Sequence, residues 1–71
     1  MLKLSLPENL YFGTKTDYVV EAIRTAILVG DLLPGTRITE QQIRDLLKVS
    51  SSPVREAFHQ LEAEGLLTRN P

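Results

Sequence analysis

Three consecutive serines, Ser50, Ser51 and Ser52, followed by Pro53 and then by Arg55, form the densest group of chemically capable side chains in this sequence. Ser-Pro marks a helix start, because serine caps the end and proline at the first helical position has no N–H to leave unsatisfied. The pattern predicts a helix with Ser52 as its cap and Pro53 as its first residue. Hydroxyls and free N–H groups at such an end suit anionic oxygens. An arginine one turn in presents a planar fork that matches a phosphate or the O6 and N7 of a guanine. His59 follows one turn further along the same side, with Glu56 and Gln60 beside it, while Val54, Ala57, Phe58 and Leu61 fall on the opposite face as an apolar stripe. Other roles stay open: Arg55 paired with an acidic residue elsewhere, His59 as ordinary solvated surface, and at least one of the serines serving only as a cap.

Catalysis finds little to work with. The chain has one histidine, no cysteine and four glycines, which are scattered as punctuation rather than gathered into a phosphate-cradling loop. No carboxylate pair falls in anything like a pocket that 71 residues could enclose. The expectation is a binding domain without a cofactor of its own and not an enzyme.

The elements that must carry these side chains are short helices. A first helix is predicted from about Asp17 to Val29, capped by Thr16 or Asp17 and stopped by Gly30, with Val19, Ile23, Ala26 and Ile27 on one face. Leu33-Pro34-Gly35 then turns the chain into a short extended piece at Arg37-Ile38. Thr39-x-x-Gln42 is a capping-box signature for a second helix, with Ile38 and Ile43 as its hydrophobic staple and Ile43, Leu46 and Leu47 facing inward, while Arg44 and Asp45 face water. The polar turn Lys48-Val49-Ser50-Ser51 separates this helix from the serine-capped one. Its single apolar residue, Val49, is expected to plug the gap between the two helices and fix their crossing angle. Gly65 should end the third helix in a left-handed cap with Leu66 pressed on Leu61, and Leu66 to Arg69 reads as a strand. The acidic residues Glu62 and Glu64 read as a solvated helix end, unfavourably placed for the dipole.

Length and charge bound the rest. A chain of 71 residues supports one small domain, and its 42% hydrophobic content is enough for a few apolar helix faces. The absence of cysteine favours a reducing, cytoplasmic setting. The amino-terminal alternation Leu2, Leu4, Leu6, ended by Pro7, is far short of a membrane span or signal peptide, so no membrane is expected. Residues 1–15 read as an arm. Within it Glu8 to Gly13 is either a native segment whose Leu10, Tyr11 and Phe12 pack on the first helix, or a remnant of a tag-removal sequence lacking its glutamine. A net charge of -1 and a pI near 5.7 argue mildly against nucleic acid. The segment from Thr36 to Gln60 is weakly basic, carrying Arg37, Arg44, Lys48 and Arg55 against Glu40, Asp45 and Glu56, with His59 in addition.

From Tyr18 to Pro71 the chain resembles the amino-terminal domain of the GntR family of bacterial transcription regulators. The likeness rests on Ile23-Arg24, Ile27-Leu28-x-Gly30-x-Leu32-x-Pro34-Gly35 and Ile38-x-Glu40. It continues in Val49-Ser50-x-Ser52-Pro53-Val54-Arg55-Glu56-Ala57-Phe58-x-x-Leu61-x-x-x-Gly65-Leu66. The resemblance implies a mainly α fold, a three-helix winged helix-turn-helix over residues 16–71 with a small β-wing, here truncated at Pro71. It also implies a homodimer on double-stranded palindromic operator DNA, usually acting as a repressor. A small-molecule effector would bind a carboxy-terminal domain outside these residues, in the branch where that domain is all-helical. Carried onto this chain, the family's DNA contacts fall on Gln41, Ser50, Ser51, Ser52 and Arg55, with Arg37 and Arg44 as weaker phosphate candidates and His59 beside them. Gln41 and Ser51 stand where many relatives have arginine, and Lys48 stands where glycine is common. These departures and the acidic pI keep one other reading in play, a protein-interaction module on the same fold that does not bind DNA.

Overall fold

Thr14 opens the first helix through a reciprocal pair of hydrogen bonds. Its hydroxyl accepts from the Asp17 backbone N–H at 3.0 Å, and its own N–H donates to Asp17 Oδ2 at 3.2 Å. In the computed structural model, which describes residues 13–33 and 37–68, helix α1 therefore spans Lys15–Val29. The cap lies upstream of the expected Thr16 or Asp17, because Asp17 serves as the acidic third residue of a capping box and not as the cap itself. Gly30 closes α1 in the left-handed conformation, at φ 91°, as its sequence position indicated. The expected packing of Leu10, Tyr11 and Phe12 and the turn at Pro34-Gly35 lie outside the described residues.

Helix α2, Glu40–Leu47, starts with the anticipated box: Thr39 Oγ1 accepts from the Gln42 N–H at 3.1 Å, and the Gln42 side chain accepts from the Thr39 N–H at 2.8 Å. It buries Ile43 and Leu47, one turn apart. Leu46, expected inward, is exposed instead, because an eight-residue helix resting on a single neighbour has room for only a narrow buried seam. Arg44, expected in water, is half-buried.

Helix α3, Ser51–Ala63, is the central element and packs on both α1 and α2. Its start is two residues earlier than the Ser-Pro pair suggested: Ser50 is the cap, its side chain makes no capping hydrogen bond, and Pro53 is the third helical residue. Proline is tolerated anywhere in a first turn, where N–H groups lack intrahelical acceptors, so it does not force the helix to begin beside it. Val54, Ala57, Phe58 and Leu61 are all buried, as their spacing required.

The end of α3 is a Schellman motif around Gly65, at φ 80°. The Leu66 N–H donates to Leu61 O at 2.9 Å and the Gly65 N–H to Glu62 O at 3.0 Å. This arrangement overturns the strand read from Leu66 onward. The Leu66 and Leu67 amides both turn back to the Leu61 carbonyl, and Leu67 is buried in the core, so the segment is a helix terminus up to Thr68. Arg37 and Ile38 likewise precede α2 without strand pairing, and no strand occurs among the described residues. Glu64 is not merely a solvated helix end. Both of its carboxylate oxygens accept from Arg24 Nη2, at 2.7 and 2.8 Å, tying the α3 terminus to α1.

The core gathers Val19, Val20, Ala22, Ile23 and Ala26 of α1, Leu32, Ile38, Ile43 and Leu47, the α3 stripe and Leu67. No buried polar or charged residue is found among them.

Candidate nucleic-acid interface

Helix α2, a tight turn and the first turns of α3 build one surface. The turn is held by backbone hydrogen bonds from the Lys48 and Val49 N–H groups to Arg44 O, at 2.8 and 3.3 Å. Lys48 adopts the left-handed conformation that closes α2, with φ 58° and ψ 48°, and is the only described non-glycine residue to do so. Val49 is half-buried and packs against the core, and it borders a surface hollow shared with Thr14, Lys15 and Tyr18 at the start of α1.

Because Val54, Ala57, Phe58 and Leu61 fix the inner side of α3, the outer side is determined by the 3.6-residue period. Ser50 and Ser52 are exposed and Ser51 is half-buried at the helix start. Arg55 stands one turn in with 59% of its side chain accessible, and His59 follows, exposed, one further turn along. This end of the helix is open to solvent.

Arg55 does have an acidic neighbour, the partner that its sequence context left unassigned. Its Nε lies 3.8 Å from Oε1 of Glu40, the first residue of α2. An ion pair of that length, on an arginine this accessible, is worth about 1 kcal/mol or less, so the guanidinium is held loosely and can be drawn to a stronger ligand. Glu56, beside Arg55, accepts a hydrogen bond from the Thr16 hydroxyl at 2.8 Å, which ties the first turn of α1 to the outer edge of α3.

The α2 candidates are arranged differently. Gln41 is exposed in the first turn, but its side chain is engaged along its own helix: Oε1 accepts from Arg44 Nη2, and Nε2 donates to Asp45 Oδ1 at 2.9 Å. Arg44 Nε is buried without a hydrogen-bond partner. Arg37 is exposed in the extended residues before α2. The structure thus brings Ser50, Ser51, Ser52, Arg55 and His59 onto one helix side. Arg44 and Gln41 are bound to each other on the adjacent helix. Glu40 was the participant that sequence reasoning missed. It was visible only as part of Ile38-x-Glu40, since a contact from α2 to α3 leaves no mark in helical periodicity.

No cluster of metal-ligating side chains occurs among the described residues, nor is any of their helices long and apolar enough to cross a membrane. Residues 15–71 match the family described as bacterial regulatory proteins, gntR family. The chain belongs to the GntR family. That family is one of regulators rather than enzymes. The HTH-type transcriptional regulator YdhC of Bacillus subtilis (strain 168), itself called uncharacterized, is 44% identical over 45 residues, which is 63% of this chain and 20% of that protein. The Nta operon transcriptional regulator of Aminobacter aminovorans is 51% identical over 35 residues, 49% of this chain and 17% of that protein. The matched stretch spans a fifth or less of the length of these relatives. No solved structure matches the chain significantly.

Proposed function

We propose that this GntR domain binds double-stranded operator DNA sequence-specifically, with α3 seated in the major groove. One observation carries the reading: the start of α3 presents Ser50, Ser52 and Arg55 to solvent while the opposite stripe of the same helix is locked in the core. In this arrangement the serine end contacts phosphate oxygens and Arg55 forks onto a guanine edge, with His59 reaching the next position along the groove. Ser51, Gln41, Arg37 and Arg44 serve the flanking backbone. The domain spans residues 16–71 and works in a cytoplasmic repressor. That protein binds as a homodimer to a palindromic site and is released by a small metabolite held on its carboxy-terminal domain. Dimerisation offsets the net charge of -1 on one copy, since linking two sites multiplies their effect.

The test is a fluorescence anisotropy titration of the intact protein on a palindromic duplex selected from a random library. Affinity should fall steeply with salt, and Arg55→Ala should cost about 1 to 3 kcal/mol. An affinity for the selected duplex that Arg55→Ala leaves unchanged removes the arginine from the interface. The net charge of -1 favours a second reading, a protein-docking module on the same surface, which predicts no salt-dependent DNA binding at all.

A further inference from the structure

Arg55 sits in acidic company. Glu56 is its neighbour in the chain, and Glu40 faces it from the start of α2. The capping box of Thr39 and Gln42 fixes the first turn of α2, and thus the backbone from which the Glu40 carboxylate reaches its position 3.8 Å from Arg55 Nε. A carboxylate that approaches the Nε edge leaves both terminal amino groups of the guanidinium for another ligand. These are the groups that pair with guanine O6 and N7.

We propose that Glu40 is a specificity-determining positioning residue: by holding Arg55 through its Nε edge, it directs the free fork to a base edge and disfavours a backbone phosphate at the same position. The proposal rests on the reading that α3 enters duplex DNA. It goes beyond that reading by assigning discrimination to a residue whose charge is wrong for DNA affinity. Phosphate contacts carry no sequence information, whereas base contacts do. A fixed negative charge beside the arginine repels a phosphate but not the neutral, acceptor-rich edge of guanine, and such a repulsive element raises specificity at the expense of total affinity. A carboxylate in the first turn of α2 also favours the helix dipole. That role alone predicts an effect on stability and none on the choice of base.

The experiment uses the intact protein, a duplex selected from a random library by the wild type, and a scrambled duplex. Affinities for both are read by fluorescence anisotropy for wild type, Glu40→Gln, Arg55→Ala and the double variant, with thermal melting to follow folding. Glu40→Gln is expected to bind the scrambled duplex roughly two- to five-fold tighter and the selected duplex no tighter, so that the ratio of the two affinities falls by that factor. In the Arg55→Ala background the same change at Glu40 should shift both duplexes equally and leave their ratio alone. Glu40→Asp keeps the charge that favours the helix dipole but shortens the reach. A lowered ratio there, with unaltered melting, supports positioning over helix stabilisation. If Arg55→Ala collapses the ratio but Glu40→Gln does not change it, the assignment of Glu40 is overturned and the interface reading survives. An equal fall in the Arg55→Ala background overturns the assignment too, since Glu40 would then act without Arg55. A ratio unmoved by Arg55→Ala overturns the reading of Arg55 and this proposal with it.

Discussion

Lys48 carries a local conflict. Its left-handed conformation is forced by the need to end α2 and turn at once into α3, and a side chain in that conformation costs on the order of 1 to 2 kcal/mol that glycine avoids. Lys48→Gly should therefore raise stability by about 1 kcal/mol, part of the relief being offset by the freedom glycine gains in the unfolded chain. Urea denaturation at fixed pH reads this directly, and a stability equal to or below wild type would show that the lysine side chain repays its strain. At the same scale, the Arg24 to Glu64 bridge is double and short, yet its side chains are 40% and 37% exposed. Solvent screening limits it, and Arg24→Ala is expected to cost no more than about 1 kcal/mol despite the good geometry. A loss of several kcal/mol in the same denaturation would mean that the bridge organises the α3 terminus.

The three helices differ in how firmly their own sequence defines them. Helix α2 has eight residues and one well-buried turn, too little to persist without caps and neighbours. Thr39→Ala removes half of its capping box and should cost about 1 kcal/mol. Because the first turn also carries Glu40 and Gln41, the same variant should weaken discrimination between operator and scrambled DNA. Melting and anisotropy on one preparation check both effects, and a stability loss without any change in discrimination would separate the cap from the interface. The element scale is also where the sequence was easiest and hardest to read. The buried stripe of α3, the Thr39 box, the Gly30 stop and the Gly65 cap all followed from spacing. The start of α3 did not, because three adjacent serines offer equivalent caps and only backbone geometry chooses among them. Leu66-Leu67 was misread as strand because two leucines after a glycine look extended, whereas their amides are taken up by the end of α3. The ties from Thr16 to Glu56 and from Arg24 to Glu64 each link residues 40 positions apart, a separation no local pattern encodes. For the interface, residue types and the exposed side were legible, but the pairing of Arg55 with Glu40 was not.

At the scale of the whole domain, the exposed side of α3 depends on a small core. Ile23, Ile43, Leu61, Val19 and Val54 are its largest fully buried side chains, and α3 is the element both other helices share. Leu61→Ala should cost about 2 to 5 kcal/mol, a large part of the roughly 5 to 15 kcal/mol that holds a domain folded. The variant is expected to melt about ten degrees or more below wild type; a melting point within a few degrees of wild type would place the stabilising contacts elsewhere.

The central claim, that the Arg55 side of α3 reads base edges, is tested most directly by protection of guanine N7 from methylation in the selected operator. Wild type should shield one guanine in each half-site, and Arg55→Ala should lose that shielding while the outline of backbone contact persists. Unchanged protection in the variant, or no protected guanine in the wild-type complex, contradicts the account.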